Sequence, residues 1–292
     1  MTAKLIDGKA VGAAVLAESA AKAQHLLERT GVIPGLAVVL VGDDPASSIY
    51  VRNKQRACGT AGVRSTLVNL PAEARTQDVI AEVDRLNDDP AIHGIIVQLP
   101  LPAGIDTRRV IERISVDKDA DGFHLYNVGS LVTGQTVFPP CTPDGVMRLL
   151  DHEGISLAGK NVVIVGASNV VGKPMALMAL QREATVTVCH AKTRDLSEFT
   201  VLADILIVAA GQANLITGPM VREGAVVIDV GINRLDNGSI TGDVVFDDVA
   251  RKASMLTPVP GGVGPMTVAV LIANTVAAAE RMAAAAPAEF VG

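Results

Sequence analysis

Tyr50 and Lys54 are the first two residues whose types and spacing suggest chemistry. They stand four residues apart within Ser47–Ala61, a stretch whose pattern predicts a helix, so both side chains would share one helical face. A lysine that has lost its proton can act as a base, and a neighbouring tyrosine can assist it. Taken alone, however, the pair is more typical of a surface lysine beside a packed tyrosine.

A third polar residue, Gln98, adds weight to this pair. It directly follows Gly94–Val97, an apolar run that predicts a buried strand, and ligands of open α/β sheets bind at the carboxyl ends of strands. The Tyr-x-x-x-Lys spacing is also that of short-chain dehydrogenases. In those enzymes the pair follows the glycine loop, whereas here it precedes such a loop by over a hundred residues, which argues against that family.

The glycine loop begins at Gly166, between the predicted strand Asn161–Val165 and a predicted helix. Five residues separate Gly166 from Gly172, and Pro174 stands where the phosphate loop of nucleoside triphosphatases needs a hydroxyl, which excludes that loop. Ser168 replaces the second glycine of the usual dinucleotide fingerprint. Two interpretations stay open, a plain strand-to-helix turn and a variant dinucleotide site; in the second, exposed amides at the helix start would bind a phosphate.

The end of the next predicted strand, Thr185–Cys189, bears on the choice of cofactor. An NAD site usually has an acid about 20 residues beyond the glycine loop, where it holds the ribose hydroxyls. Here the strand is followed by His190, Lys192 and Arg194, and the first acid is Asp195. Such a basic cluster favours the 2′-phosphate of NADP, with a solvated basic turn as the alternative.

An acidic run precedes the middle of the chain. Asp117, Asp119, Asp121 and Gly122 match the start of a calcium loop, but the position that needs a bidentate glutamate is Val128. A calcium site is therefore not expected. The run is either a polar connector or a segment in which one carboxylate binds a ligand rich in hydrogen-bond donors.

The composition excludes several other classes of protein. Among 292 residues, 25 are basic and 31 acidic, and only 2% are aromatic, which suits neither phosphate neutralisation nor base stacking. The histidines show no metal-binding spacing, and no G-x-S-x-G nucleophile motif occurs. We therefore expect no metal, no nucleic-acid partner and no membrane segment. Three scattered cysteines fit a reduced cytosolic compartment.

Short apolar runs alternate with longer helical patterns, which predicts an α/β fold whose parallel sheets are covered by helices. The alternation restarts near residue 160, so we expect two doubly wound units joined by the Gly-, Pro- and Asp-rich stretch 117–145. The predicted strands are Gly35–Val41, Ser65–Leu70, Gly94–Val97, Asn161–Val165, Thr185–Cys189, Ile205–Ala209 and Ala225–Val230. The predicted helices are Ala10–Thr30, Ser47–Ala61, Thr76–Asn87, Asp144–His152, Lys173–Arg182 and Val268–Met282.

With these motifs in order, the chain resembles the bifunctional methylenetetrahydrofolate dehydrogenase/methenyltetrahydrofolate cyclohydrolase family over nearly its whole length. The matching stretches are Ser47–Lys54, Gln98–Pro102, Asp117–Gly122, Pro140–Gly145, Gly166–Pro174 and Pro258–Thr267. The last of these, PVPGGVGPMT, is the most specific. The resemblance implies two α/β domains flanking a cleft, the second with a Rossmann-type doubly wound parallel sheet, in a cytosolic homodimer.

The resemblance also implies domain boundaries and two reactions. The folate-binding catalytic domain would span 1–120 and the NADP-binding domain 121–285, with the final helix packing back on the first domain and a tail at 286–292. In the first reaction, 5,10-methylenetetrahydrofolate passes a hydride to NADP. In the second, water opens the resulting methenyl cation to 10-formyltetrahydrofolate.

By the same resemblance, Lys54 is the base and then the acid of the hydrolysis, and Gln98 orients it. Tyr50 packs on the folate ring, and Asp121 accepts hydrogen bonds from the pterin. A lysine base must lose its proton, which burial and a cationic substrate favour. The residues that would bind folate are Tyr50, Lys54, Gln98, Leu99, Pro100, Asp121, Pro260, Gly261, Gly262 and Gly264.

The implied cofactor contacts come from the glycine loop and the later strands. They are Gly166, Ala167, Ser168, His190, Lys192 and Ile232. Some family members carry phosphate-binding side chains where Ala167 and Ala191 stand, so His190 or Lys192 would have to substitute for them. The alternatives are a dehydrogenase without cyclohydrolase activity, a catalytically inactive folate-binding protein, and a folate-independent NAD(P) dehydrogenase.

Overall fold

A computed structural model describes residues 2–285, without the side chains of Pro45, Ala46 and Ser48. The expected tail at 286–292 lies outside the described residues. The chain folds into two compact units. The six-strand unit comprises residues 2–12, 130–135 and 140–267, and the three-strand unit comprises 13–129, 136–139 and 268–285.

The strands and helices follow the predicted alternation. The strands are β1 (Lys4–Leu5), β2 (Gly35–Val41), β3 (Arg64–Leu70), β4 (Gly94–Val97), β5 (Asn161–Val165), β6 (Thr185–Cys189), β7 (Ile205–Val208), β8 (Val226–Asp229), β9 (Asn233–Arg234), β10 (Ile240–Thr241) and β11 (Met255–Leu256). The helices are α1 (Gly8–Thr30), α2 (Pro45–Thr60), α3 (Thr76–Asp88), α4 (Thr107–Ile111), α5 (Leu125–Thr133), α6 (Cys141–His152), α7 (Gly172–Gln181), α8 (Ser197–Thr200), α9 (Phe246–Val249) and α10 (Val263–Ala285).

The three-strand unit is built on a parallel sheet in the order β3-β2-β4. All residues of β2 and β4 are buried, as their unbroken apolar sequences predict for strands covered on both faces. The chain passes from β2 to β3 on one side and then to β4 on the other. The strand order therefore reverses at β2, which is where open α/β sheets bind ligands, beyond the carboxyl ends of the strands.

The six-strand unit contains a second parallel sheet, in the order β1-β11-β8-β7-β5-β6. Counted from β5, its first five strands follow the doubly wound order 2-1-3-4-5, so the reversal lies at β5. A short antiparallel pair, β9 and β10, lies outside this sheet. The predicted α/β fold with a doubly wound parallel sheet is confirmed.

Each end of the chain belongs to the unit that is built mainly from the other half of the sequence. The N-terminal strand β1 pairs with β11, so residues 2–12 belong to the six-strand unit. Most of α10, from Val268 onward, belongs to the three-strand unit, where Asn274 donates hydrogen bonds to the carbonyls of Ala120 (3.0 Å) and Pro139 (3.3 Å). The sequence missed β1 and β11 because two-residue strands carry no readable pattern, and it missed α5 within the stretch expected to be irregular.

One described helix, α10, is long and apolar enough to cross a membrane by length and composition alone. In its most apolar window, 61% of the residues are buried inside the structure. Such burial is what a core helix of a globular protein shows, because a helix that is apolar on all sides must be covered by something.

Candidate active site

The structure brings Lys54 and Gln98 into contact although 44 residues separate them. The Lys54 Nζ donates a hydrogen bond to Gln98 Oε1 at 3.1 Å, and Gln98 Nε2 donates to the Leu99 carbonyl at 2.7 Å. The second bond fixes which end of the amide faces the lysine. An amide oxygen accepts a hydrogen bond from an ammonium and from a neutral amine alike, so Gln98 can hold the Lys54 nitrogen in either form.

Two elements position this pair. The Asp44 side chain accepts a hydrogen bond from the Ser47 amide at 2.7 Å and so caps the start of α2, which carries Lys54. Gln98 directly follows β4, and its amide donates to the Val39 carbonyl of β2 at 2.9 Å. Both groups therefore lie where the order of the three-strand sheet reverses.

Lys54 is partly shielded from solvent. The Lys54 side chain is half-buried, and Tyr50, one helical turn earlier, is 39% exposed. Cys58, one turn later, is fully buried, and this burial raises the pKa of its thiol to about 11. At neutral pH the thiol is therefore uncharged and gives the lysine no anion to pair with.

The three carboxylates of the acidic run have different surroundings. Asp117 is exposed and lies 3.9 Å from Arg281 in an ion pair. Asp119 is 1% exposed and accepts hydrogen bonds from the backbone amides of Phe123 and His124 and from the Asn127 side chain. It thus fixes the turn that carries the half-buried Asp121.

The structure thus separates the three carboxylates of the acidic run by their surroundings, and the ligand-binding role of Asp121 stays a prediction. Asp119 is occupied by its own turn, and Asp117 faces solvent and an arginine. Among residues 2–285, no group of three or more His, Cys, Asp or Glu side chains is arranged to hold a metal ion.

The glycine-rich segment 258–264 connects β11 to α10. The Val259–Pro260 peptide bond is cis, as is Leu99–Pro100 in the three-strand unit. Gly261 has a φ of +113°, and a Cβ on Gly264 would lie 3.6 Å from the Ile232 side chain. The predicted folate loop and the predicted cofactor contact at Ile232 are therefore neighbours within the six-strand unit.

Gly166 lies at the reversal point of the six-strand sheet. Its φ is +120°, and a Cβ at this position would stand 2.1 Å from the Ala209 carbonyl oxygen, which follows β7. Only glycine fits both the backbone conformation and the close approach. Of the two interpretations of this loop, the position at the carboxyl edge favours a ligand site.

The amides at the start of α7 are not exposed in the way the sequence suggested. The Ser168 side chain accepts hydrogen bonds from the amides of Val171 (3.1 Å) and Gly172 (3.5 Å), and the Lys173 amide donates to the Ser168 carbonyl at 3.0 Å. Pro174 has no amide hydrogen to offer. The serine that replaces the second fingerprint glycine therefore already binds amides at and just before the helix start, and a phosphate would have to compete with it.

The basic turn after β6 is ordered by its own hydrogen bonds. His190 Nδ1 accepts from the Lys192 amide at 3.1 Å, and Thr193 Oγ1 accepts from the His190 amide at 2.9 Å. The side chains of His190 and Lys192 are exposed, and Ala191 between them adds no donor. The turn can therefore present two basic groups to an anion.

Two functional candidates escaped the sequence analysis, Asp229 and Asp243. Both are buried at the carboxyl edge of the six-strand sheet, and between them they accept hydrogen bonds from several loops. No local sequence motif predicts them, because their hydrogen-bond partners are spread along the chain. Only the glycines beside them, Gly231 and Gly242, hint at a crowded site.

Comparison with known protein families accounts for most of the chain. Residues 6–121 match the catalytic domain of tetrahydrofolate dehydrogenase/cyclohydrolase. Residues 140–283 match the NAD(P)-binding domain of the same enzymes.

Individual relatives agree with this match. The bifunctional protein FolD of Nitrosospira multiformis is 58% identical over 96% of this chain and 97% of its own. A crystal structure of the bifunctional FolD dehydrogenase/cyclohydrolase from Campylobacter jejuni is 51% identical, has a TM-score of 0.94, and covers 96% of this chain and 99% of its own. The Trypanosoma brucei enzyme, solved with NADP and an inhibitor, is 38% identical with a TM-score of 0.94, covering 97% and 99%.

Proposed function

The chain belongs to the tetrahydrofolate dehydrogenase/cyclohydrolase family, and we propose that it catalyses both reactions of that family. It oxidises 5,10-methylenetetrahydrofolate to 5,10-methenyltetrahydrofolate with NADP and then hydrolyses the product to 10-formyltetrahydrofolate. The observation that carries the second activity is the Lys54–Gln98 hydrogen bond, which supplies a proton-transfer group at a ligand-binding sheet edge. This arrangement disfavours the alternative of a dehydrogenase without cyclohydrolase activity.

The six-strand unit fits a dinucleotide. Gly166 leaves room at the reversal point where a side chain would collide with Ala209, and the turn at His190 and Lys192 offers positive charge. When bound, NADP supplies the hydride acceptor. Hydride loss leaves a delocalised cation on the folate and moves no proton, so the protein contributes mainly by holding the reactants in position. Gly166, Ala167, Ser168 and Ile232 are the proposed contacts.

Lys54 is the proposed proton-transfer group of the hydrolysis. Its neutral amine takes a proton from the water that adds to the methenyl carbon, and its ammonium then returns a proton to N5 as the bond between that carbon and N5 breaks. One proton is released to solvent overall, because a cation and water give a neutral formamide. Gln98 holds the nitrogen in place through both steps. General acid–base catalysis of this kind contributes roughly 10²–10⁴-fold.

The remaining proposed folate contacts pack on the ring system or accept hydrogen bonds from it. Tyr50 is exposed enough to pack on a flat ring, and Asp121 is a hydrogen-bond acceptor suited to the amino group and ring nitrogen of a pterin. The other proposed contacts are Leu99, Pro100, Pro260, Gly261, Gly262 and Gly264.

We also infer a cytoplasmic homodimer. The six-strand unit exposes several large apolar side chains, among them Leu180 of α7, Val188 of the edge strand β6 and Leu202 after α8, which are 53%, 38% and 58% exposed. An edge strand with an exposed apolar side chain is typical of a sheet edge that pairs with another chain. Sedimentation equilibrium tests this inference: a monomer at micromolar concentration would overturn it.

Two assays on the purified protein test the proposed function. The first follows NADPH formation from 5,10-methylenetetrahydrofolate, and the second follows the loss of methenyl absorbance without any cofactor. We expect both activities, with NADP used more efficiently than NAD. NADP-dependent turnover with no hydrolysis above the buffer rate would reduce the function to the dehydrogenase alone. Turnover without folate would replace it.

A further inference from the structure

Asp229 and Asp243 have no part in the reactions described so far. They are 4% and 0% exposed, and each is a carboxylate at the carboxyl edge of the six-strand sheet. Burying two carboxylates side by side is costly unless each is surrounded by hydrogen-bond donors. The donors that surround them show what the pair holds together.

Asp243 accepts hydrogen bonds from two separate segments of the chain, from backbone amides of one and from a side chain of the other. Its Oδ2 accepts hydrogen bonds from the amides of Ala210 (2.7 Å) and Gly211 (2.9 Å), which follow β7. Its Oδ1 accepts one from the Asn233 side chain at 2.8 Å, just after β8. One carboxylate therefore joins the loops that leave two neighbouring strands.

Asp229 in turn fixes the backbone on which Asp243 stands. It accepts hydrogen bonds from the amides of Gly231 (2.9 Å), Asp243 (3.0 Å) and Val244 (3.0 Å). Burial raises the pKa of Asp229 to about 6. The packing is so close that a Cβ on Gly242 would stand 1.9 Å from an Asp229 oxygen, so only glycine fits there.

The segments held by Asp243 are those that face the proposed cofactor site. Ala209, next to Ala210, places its carbonyl against Gly166, as described above. Asn233 is adjacent to Ile232, the proposed contact after β8. The loop after β7 also lies at the reversal point of the sheet, where the ligand of a doubly wound fold binds.

We propose that Asp243 is a positioning residue for the nicotinamide cofactor, because it fixes the loop behind Gly166 and the loop carrying Ile232 relative to each other. This inference rests on the proposed function, since it assumes that NADP binds at this edge. The hydrolysis uses no cofactor, and its proposed proton-transfer group, Lys54, lies in the three-strand unit. The inference therefore predicts a large effect on the dehydrogenase and at most a small one on the hydrolysis.

The test compares Asp243→Ala with Asp247→Ala. Asp247 is an exposed acid four residues later and controls for loss of one negative charge. Asp243→Ala is expected to raise KM for NADP at least about tenfold, with a smaller change in kcat, and to leave cofactor-free methenyl hydrolysis within about twofold of wild type. Asp247→Ala is expected to change neither.

A paired substitution keeps the test decisive if Asp243→Ala does not fold. Asn233→Asp would set two carboxylates against each other and raise KM for NADP. Adding Asp243→Asn should restore it, because the carboxylate introduced at position 233 would then accept from the amide introduced at position 243, whose oxygen still faces the Ala210 and Gly211 amides. Asp243→Asn alone is expected to be mild, since the Asn233 amide can turn over to match it.

The outcomes separate the inference from the function it rests on. A raised KM for NADP with intact hydrolysis, reversed in the double variant, supports the positioning role. An unchanged KM in folded Asp243→Ala, an equal loss of both activities, or no rescue by the second substitution overturns it. If the wild-type protein itself reduced no NADP, the proposed function would fail instead.

Discussion

In the three-strand unit, two side chains meet at the sheet reversal: Lys54 from the helix after β2, and Gln98 from the end of β4. In the six-strand unit, the corresponding position after β5 and β7 holds backbone, the Gly166 turn against the Ala209 carbonyl. We propose that the same topological position serves proton transfer in one sheet and cofactor binding in the other. The difference teaches that sheet topology selects where a site lies, while the side chains at that position select what it does.

Replacing the proton-transfer group should have the largest effect. Lys54→Met removes the only part of the pair that can carry a proton, so methenyl hydrolysis is expected to fall by about 10²-fold or more. The unfolding temperature should stay near that of wild type, because the side chain is half-buried and unbranched like methionine. Arg52→Met, an exposed cation on the same helix, is the matched control and should keep full activity.

The next largest effect is a pH dependence of stability that we expect from the buried carboxylate of Asp229. Since the pKa of Asp229 is raised from 3.8 to about 6, the folded protein binds this proton more tightly than the unfolded chain does. Wild type should therefore lose about 3 kcal/mol of unfolding free energy relative to Asp229→Asn as pH rises from about 3 to about 7. Urea unfolding at several pH values measures it.

A matched variant shows whether that pH dependence belongs to burial. Asp247→Asn replaces an exposed acid of the same unit and is the matched control. A difference from wild type that does not change with pH for Asp229→Asn would mean that its carboxyl is solvated and does not hold the loops.

A substitution at Gly166 tests the proposed ligand-binding position of the six-strand unit. Gly166→Ala places a methyl group against the Ala209 carbonyl and forces a residue with a side chain to a φ of +120°. We expect a loss of about 2 kcal/mol in unfolding free energy and a rise of about tenfold in the Kd for NADPH, measured by fluorescence titration. Gly134→Ala, at a positive φ with open space around it, separates backbone strain from the steric effect.

The smallest effect is expected at the basic turn. Lys192→Ala removes an exposed charge, so KM for NADP should rise by roughly fivefold while KM for NAD is unchanged, because only NADP carries the 2′-phosphate. His190→Ala should raise KM for NADP in the same way. Equal changes for NADP and NAD would assign the turn a role other than phosphate binding.

The sequence predicted the elements well where the physics is local. Unbroken apolar runs marked β2, β4 and β7, and the glycine at 166 marked the strand-to-helix turn. Gln98 could be placed at the site because the end of a parallel strand is a general ligand position. Its contact with Lys54 depends on how β2 and β4 pair, which no single stretch of sequence encodes.

Other parts of the site could not be read from sequence because they depend on long-range hydrogen bonds. Ser168 looked like a missing glycine, and only the structure shows that it accepts a hydrogen bond from the Val171 amide just before α7. Asp243 accepts from residues about ten to thirty positions earlier, so no motif of fixed spacing contains it. The roles of the folate contacts came from the family resemblance and stay predictions.

The central claim is that one sheet edge serves the hydrolysis and the other serves cofactor binding. It is tested most directly by measuring both activities in the same preparations of Lys54→Met and Gly166→Ala. The account predicts a crossed result: Lys54→Met loses methenyl hydrolysis but still reduces NADP at saturating folate, whereas Gly166→Ala hydrolyses methenyltetrahydrofolate normally but needs far more NADP. If the two folded variants lost both activities in the same proportion, the assignment of separate tasks to the two edges would be contradicted.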